Sequence, residues 1–134
     1  MACTEGGYWT DSFATCTETF SNWLGINAGM KEVYLTVDDG PSPMTCALVD
    51  YLVSKNIPAM FFCRGDGIVK NQQAVVYAIE HGMVIGNHGY THKRFSKMNL
   101  KRAKEEISFT DQLIDACYTM AGMPRPMKVF RFPY

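Results

Sequence analysis

Short apolar runs alternate with segments of helical period along most of this chain, and that alternation restricts the folds open to it. Residues 33–37, Val-Tyr-Leu-Thr-Val, read as a buried strand, and Ala59–Cys63 as a second. Residues 83–85 and 128–131 read as a third and a fourth. Between them, residues 44–55 carry Leu48, Val49 and Leu52 at amphipathic-helix spacing, with Pro43 and Thr45 suited to the first turn. Residues 71–81 form a second helical stretch, stopped by Gly82. Residues 100–121 form a long third one, with Ile107, Leu113, Ile114 and Cys117 along one side and Gly122 and Pro124 at its end. Residues 57–58 are expected to turn, and Gly65-Asp66-Gly67 to form a loop. Strand and helix in alternation imply parallel βαβ units with right-handed crossovers, an α/β class. Residues 1–29 lack this pattern and read as an irregular N-terminal extension to a single domain over 30–134.

The polar residues of interest all follow strands. Asp38 and Asp39 come after the first, just before Gly40-Pro41. Arg64 follows the second, His88 and His92 the third, and Arg131 lies at the fourth. In a β/α barrel or an open parallel sheet these ends share one face, so residues far apart in sequence converge there. Two adjacent carboxylates repel, and at least one needs a cation or strong donor nearby. One Asp and two His form an open three-ligand metal set of the kind that catalytic sites use. The two carboxylates can then divide into one ligand and one base. His88 and His92 are four apart, so a helical turn would bring them to one side. Asp-Asp-Gly-Pro also suits a plain turn, and a spaced His pair on a loop can be structural. Their joint occurrence at strand ends favours the metal site.

The totals exclude other classes. The 134 residues carry 13 Lys and Arg against 13 Asp and Glu, so the formal net charge gives no case for nucleic acid or an anionic membrane. No apolar stretch approaches the roughly 20 residues of a membrane span. Residues 1–29 hold no basic region followed by an apolar core, so the chain as written is expected in the cytosol, and in the secreted or envelope fraction if its natural product is longer. The five cysteines are odd in number and include no Cys-x-x-Cys pair. Cys46, Cys63 and Cys117 read as small core residues, while Cys3 and Cys16 could pair in an oxidising compartment. His81 reads as a helix-end residue, Arg64 and Asp66 as a loop pair, and Met123 and Met127 as packing. The basic segment 93–104, followed by Glu105 and Glu106, reads as a solvated helix face.

Taken together, these residues resemble the polysaccharide deacetylases of carbohydrate esterase family 4, the NodB-homology domain. Thr36-Val37-Asp38-Asp39-Gly40 is similar to that family's Thr-Phe-Asp-Asp-Gly motif, with Val37 in the Phe place. His88-Gly89-Tyr90-Thr91-His92 is similar to its His-Ser/Thr-x-x-His motif, with Gly89 where a hydroxyl residue is usual. Arg131-Phe132-Pro133-Tyr134 is similar to its Arg-x-Pro-Tyr motif, and Pro58-Ala59-Met60-Phe61-Phe62 to its second strand. The resemblance covers residues 32–134 and implies a partial, TIM-like (β/α) barrel with about four of roughly seven strands. It implies that Asp39, His88 and His92 hold a divalent metal, zinc first, with cobalt or another transition metal as alternatives. By the same resemblance, Asp38 is the general base, Arg131 orients Asp38, and the Tyr134 N–H helps bind the oxyanion. The implied reaction hydrolyses N-acetyl groups on an amino-sugar polymer or oligosaccharide and releases acetate. The family's later motifs, an Asp supporting the Arg and a Leu-x-His general acid, fall beyond Tyr134. A chain stopping there is expected to bind metal and turn over poorly. A non-catalytic metal- or sugar-binding remnant, and an amidase acting on small cyclic amides, stand as alternatives.

Overall fold

A computed structural model describes residues 33–134; the extension over 1–29, with Cys3 and Cys16, lies outside the described residues. The order of elements is β1 (Leu35–Gly40), α1 (Thr45–Ser54), β2 (Ala59–Cys63), α2 (Gly65–Lys70), α3 (Gln72–Glu80), β3 (Val84–Asn87), a 3₁₀ turn (Phe95–Lys97) and α4 (Leu100–Met120). The three strands form one parallel sheet in the order β1-β2-β3. A central parallel strand is covered on both faces, and β2 accordingly reads Ala-Met-Phe-Phe-Cys with every residue buried. Cys63 and Cys117 are buried, unpaired thiols and Cys46 is half-buried. Burial pushes the Cys63 thiol far above its ordinary value, and that of Cys117 also upward, as expected of inert core residues.

The helices seal the core from one another's sides. α1 packs on α3, α3 and α2 pack on α4, and α4 returns to β3. Val49, Phe61, Ile68, Ile79, Ile85 and Ile114 meet at its centre. The N-terminus of α4 is capped by Asn99, whose side-chain oxygen accepts from the Arg102 N–H at 2.8 Å. Its buried stripe is Glu106, Thr110, Ile114, Cys117 and Tyr118, and the Tyr118 hydroxyl accepts from the Ile85 N–H across to β3. After the helix, Arg125 is clamped between Asp111 and Asp115 at 2.9 and 2.8 Å. Burial works against the charge of both Arg125 and Asp115. The pairing outweighs it, so the arginine is held above its ordinary value and Asp115 below. This clamp ties residues 123–128 to α4.

Four expectations need correction. β1 is not a buried strand. It stands at the sheet edge among the described residues, leaves Leu35 and Asp38 exposed, and runs on through both aspartates to Gly40. Gly65-Asp66-Gly67 is not a loop but the first turn of α2. Backbone N–H groups of Gly65 and Asp66 donate to the carbonyls of Gly89 and Tyr90, and buried Ile68 anchors the turn. The Gly65 position requires glycine, because a Cβ there would lie 2.3 Å from the Tyr90 ring. Residues 128–131 make no fourth strand. Only Phe130 forms a parallel bridge, to Asn87, flanked by the Asn87 N–H to Val129 carbonyl and Arg131 N–H to Asn87 carbonyl bonds. The described residues thus hold three strands rather than four. The basic segment 93–104 is solvated as read, each of its basic residues being exposed, but it is not all one helix face: Lys93, Arg94 and Lys97 precede α4.

β3 contains Gly86 for a steric reason. A Cβ at Gly86 would approach Phe62 Cδ1 to 2.6 Å. Gly86→Ala is therefore expected to destabilise the fold by about 1–3 kcal/mol, the usual cost of overpacking. The check is a lowered urea midpoint with an unchanged slope; a wild-type midpoint would mean that the Phe62 ring has room to yield.

Candidate active site

Asp38 and Asp39 are adjacent, and in a regular strand they would face opposite sides of the sheet. The ladder between β1 and β2 breaks this rule. Asp38 pairs with Phe62 and Gly40 with Cys63, so Asp39 is an extra residue in a bulge. Asp39 takes a left-handed φ of 66°, uncommon for a non-glycine residue and typical of functional sites. The following Gly40-Pro41 bond is cis. The bulge lets both carboxylates serve one site, each with its own partners.

Asp39 meets the histidines. Its Oδ1 lies 2.8 Å from His92 Nε2 and 3.6 Å from His88 Nε2. The three groups offer ligand atoms all within 4.8 Å of one another. His88 is buried, and its Nδ1 lies 2.9 Å from the Arg131 carbonyl oxygen. A carbonyl can only accept, so Nδ1 carries the proton and Nε2 keeps its lone pair toward Asp39. A carboxylate oxygen and two imidazole nitrogens converging in this way fit a divalent transition metal. The two histidines do not sit on a helical turn. They bracket a loop whose path reverses through left-handed residues Gly89 (φ 75°) and His92 (φ 57°). Gly89 meets the first of these backbone demands at no steric cost.

Asp38 meets Arg131. Arg131 Nη1 donates to Asp38 Oδ1 at 2.8 Å and to Thr36 Oγ1 at 2.9 Å. The guanidinium also lies over the Phe62 ring, 4.1 Å from its centroid. Backbone and side chain of Arg131 therefore act on different parts of the site, the carbonyl on His88 and the guanidinium on Asp38. Tyr134 (φ 68°) places its ring 4.9 Å from that of His92. All six residues singled out from the sequence, Asp38, Asp39, His88, His92, Arg131 and Tyr134, lie at one end of the sheet. Arg64 and Asp66 form a two-pronged ion pair at 3.0 and 2.7 Å, as read from the sequence. Their mutual hydrogen bonding raises the arginine above its ordinary value and lowers the carboxyl below its own. His81 ends α3, with Nδ1 2.8 Å from the Tyr77 carbonyl oxygen.

Sequence reasoning missed two residues that hold the histidine loop. Glu106 reaches it from α4. Its carboxylate accepts from the Tyr90 and Thr91 N–H groups at 2.8 and 2.7 Å, from the Thr91 hydroxyl at 2.8 Å and from Arg102 at 2.8 Å. Burial pushes the Glu106 carboxyl up, but these donors prevail and hold it below the usual carboxylate range. Asn87 holds the loop from below, its Oδ1 accepting from the Gly89 N–H at 2.9 Å. The signal for Glu106 was available: it and Thr110 continue the stripe of Ile114 and Cys117. Polar residues on the buried stripe of a helix need partners.

Glu106→Gln removes the charge from this clasp while keeping its shape. At neutral pH it is expected to weaken Zn²⁺ binding about tenfold, the scale of a loss outside the ligand sphere. Because the carboxyl is depressed in the folded state, its contribution is full above its ordinary value and is lost as pH falls through the depressed one. The stability gap between wild type and variant should close on acidification in that window. Calorimetric titration with Zn²⁺ and urea unfolding across acid pH test both. A variant with wild-type affinity and no pH-dependent gap would show that the clasp does not support the loop.

The chain matches the polysaccharide deacetylase family model over residues 25–134. It is 35% identical over 116 residues to a peptidoglycan-N-acetylglucosamine deacetylase of Bacillus cereus, covering 86% of this chain and 42% of that protein. It is 31% identical over 111 residues to a chitooligosaccharide deacetylase of a Bradyrhizobium species, covering 82% of this chain and 49% of that protein. A family 4 carbohydrate esterase from Streptomyces lividans, solved in complex with acetate, superposes with a TM-score of 0.67 at 36% identity, covering 76% of this chain and 50% of that chain. The chain thus spans less than half the length of these two relatives. With the family model spanning most of its residues and the fold shared, the chain belongs to the polysaccharide deacetylase family.

Proposed function

We infer that this chain carries the hydrolytic centre of a metal-dependent deacetylase acting on N-acetylated amino sugars in a glycan. The observation that supports this reading most strongly is the division of the two aspartates: Asp38 is held by Arg131 at 2.8 Å, directly beside the Asp39–His88–His92 cluster. The relatives' names, peptidoglycan-N-acetylglucosamine deacetylase and chitooligosaccharide deacetylase, agree with the substrate class.

In this reading Asp39, His88 and His92 hold the metal, with zinc the first candidate and cobalt the second. When bound, such an ion supplies a Lewis acid for the acetamide oxygen and lowers the pKa of water. The chain's own residues do the rest. Arg131 occupies one oxygen of Asp38 and leaves the other to accept the proton of the attacking water. The water oxygen bonds to the acetamide carbon, the proton held by Asp38 passes to the nitrogen, and the carbon–nitrogen bond breaks to free the amine. Acetate is the other product. The Tyr134 N–H donates to the oxygen that gains charge.

Asp38→Asn is expected to lower acetate release from an N-acetylated chito-oligosaccharide by about 10²–10⁴-fold, the usual contribution of a general base. Zn²⁺ affinity should be retained, whereas Asp39→Ala should lose both. Chelation should abolish turnover, and added zinc or cobalt restore it. The reading fails if the full chain, supplied with either metal, releases no acetate from any N-acetyl sugar, or if Asp38→Asn is as active as wild type.

A further inference from the structure

Each aspartate of the site has an arginine close enough to act on its charge, yet only one of the two pairs is made. Arg131 donates to Asp38 at 2.8 Å. Arg64 feels the charge of Asp39 but gives its hydrogen bonds to Asp66. Asp39 is left to the histidines. Its Oδ1 is the oxygen that His92 and His88 approach, and its Oδ2 has no partner among the described residues.

The position of Arg64 follows from the strand before it. β2 ends at Cys63, but Arg64 keeps an extended backbone (φ −84°, ψ 140°), so the alternation of side chains continues through it. Phe62, two residues earlier, lies on the site side, its ring centre 4.1 Å from the Arg131 guanidinium and 6.4 Å from that of His88. Arg64 therefore leaves the backbone on the same side. Its N–H donates to the Gly40 carbonyl at 2.8 Å, next to the Asp39 bulge. The N–H groups of Gly65 and Asp66 donate to the Gly89 and Tyr90 carbonyls of the histidine loop, both at 3.0 Å. Residues 64–66 thus touch both halves of the ligand set by backbone alone. A guanidinium that starts from this point has two carboxylates to choose between.

For Asp39 the choice matters. A carboxylate that holds a divalent cation must keep its oxygens and its charge for that ion. A guanidinium is planar, permanently charged and matched to a carboxylate in two-pronged form. Closed on Asp39, it would occupy ligand oxygen and set a positive charge against the incoming ion. What Arg131 does for Asp38 suits a base; the same embrace of Asp39 would remove a ligand. Asp66 stands against this in two ways. Its oxygens accept from Nε and Nη2 of Arg64 at 3.0 and 2.7 Å, which fixes the plane of the group. Its charge also offsets that of the arginine beside the ligand cluster.

We propose that Asp66 is a positioning residue of the metal site: by holding Arg64 it keeps that guanidinium off Asp39 and reserves the Asp39 carboxylate for the metal. This role rests on the reading of Asp39, His88 and His92 as metal ligands and is independent of the substrate.

Zn²⁺ is titrated by calorimetry into the full chain and into Asp66→Asn, Arg64→Leu and the double variant Arg64→Leu/Asp66→Asn. Asp66→Asn keeps the size of the side chain and the backbone bonds of residues 64–66 but releases Arg64. Its Zn²⁺ affinity is expected to fall about tenfold, the scale of a supporting residue outside the ligands. Arg64→Leu should bind at least as tightly as wild type. The double variant should recover to within about threefold of wild type, the coupling between neighbours that such a cycle isolates. That recovery separates this role from a structural one, since removing Arg64 does not repair the loss of a merely structural Asp66. Circular dichroism and urea midpoints without metal check that each chain is folded, and Asp66→Ala carries the same comparison if Asp66→Asn is not. Wild-type affinity in Asp66→Asn, a double variant no tighter than Asp66→Asn, or an Arg64→Leu weaker than wild type overturns the proposal. A wild type that binds no Zn²⁺ removes the ligand reading and this role with it. Retained binding with no acetate released from any N-acetyl sugar removes the deacetylase and leaves the role of Asp66 standing.

Discussion

The arrangement of the site depends on one buried amide. Asn87, 1 % exposed, ends β3 and uses all of its hydrogen-bonding groups. Its Nδ2 donates to the Ile107 carbonyl at 2.9 Å and Asp111 Oδ1 at 3.2 Å, both on α4, while its Oδ1 takes the Gly89 N–H. Its backbone N–H and carbonyl bond residues 129 and 131. A strand, a helix, the histidine loop and the Arg131 segment are thus referred to one residue. A buried amide with every group satisfied specifies one geometry, because any displacement leaves a polar group unpaired in a low-dielectric interior.

Around that hub the site is assembled from parts whose rigidity has separate causes. The bulge at Asp39 is a backbone device. The Arg131 guanidinium is fixed by Asp38, Thr36 and the face of Phe62, and Phe62 by the missing Cβ of Gly86. The loop between His88 and His92 has its polar groups met by Glu106, whose own charge is met by Arg102. None of these supports touches the ligand atoms, yet each restricts where those atoms can lie.

Much of this was legible in the residues. Ala59–Cys63 reads correctly because a central parallel strand must be apolar on both faces, which leaves a continuous run. Helix spans read well where a stripe faces the core. β1 misleads for the converse reason: Val33 and Leu35 look like core residues, but among the described residues β1 pairs on one side only, and both are exposed. Gly65-Asp66-Gly67 reads as a loop by composition, whereas the helix there is imposed by carbonyls of the histidine loop. The segment at 128–131 has strand-like residues but pairs only through Phe130. The convergence of Asp38, Asp39, His88, His92 and Arg131 follows from parallel topology. What topology does not reveal is the bulge, a one-residue change in register that no side chain announces, or the burial of Glu106, which looks like an ordinary member of a charged helix.

The Glu106 clasp also makes the long helix a thermodynamic partner of the site. Whatever stabilises the loop between His88 and His92 must stabilise the docking of α4, and by linkage the converse holds with the same free energy. A change at Ile114 or Cys117, about two and three turns along the helix from Glu106, need not touch the site to be felt there. It would act by loosening the element that carries Glu106, so occupancy of the site and packing of the core vary together.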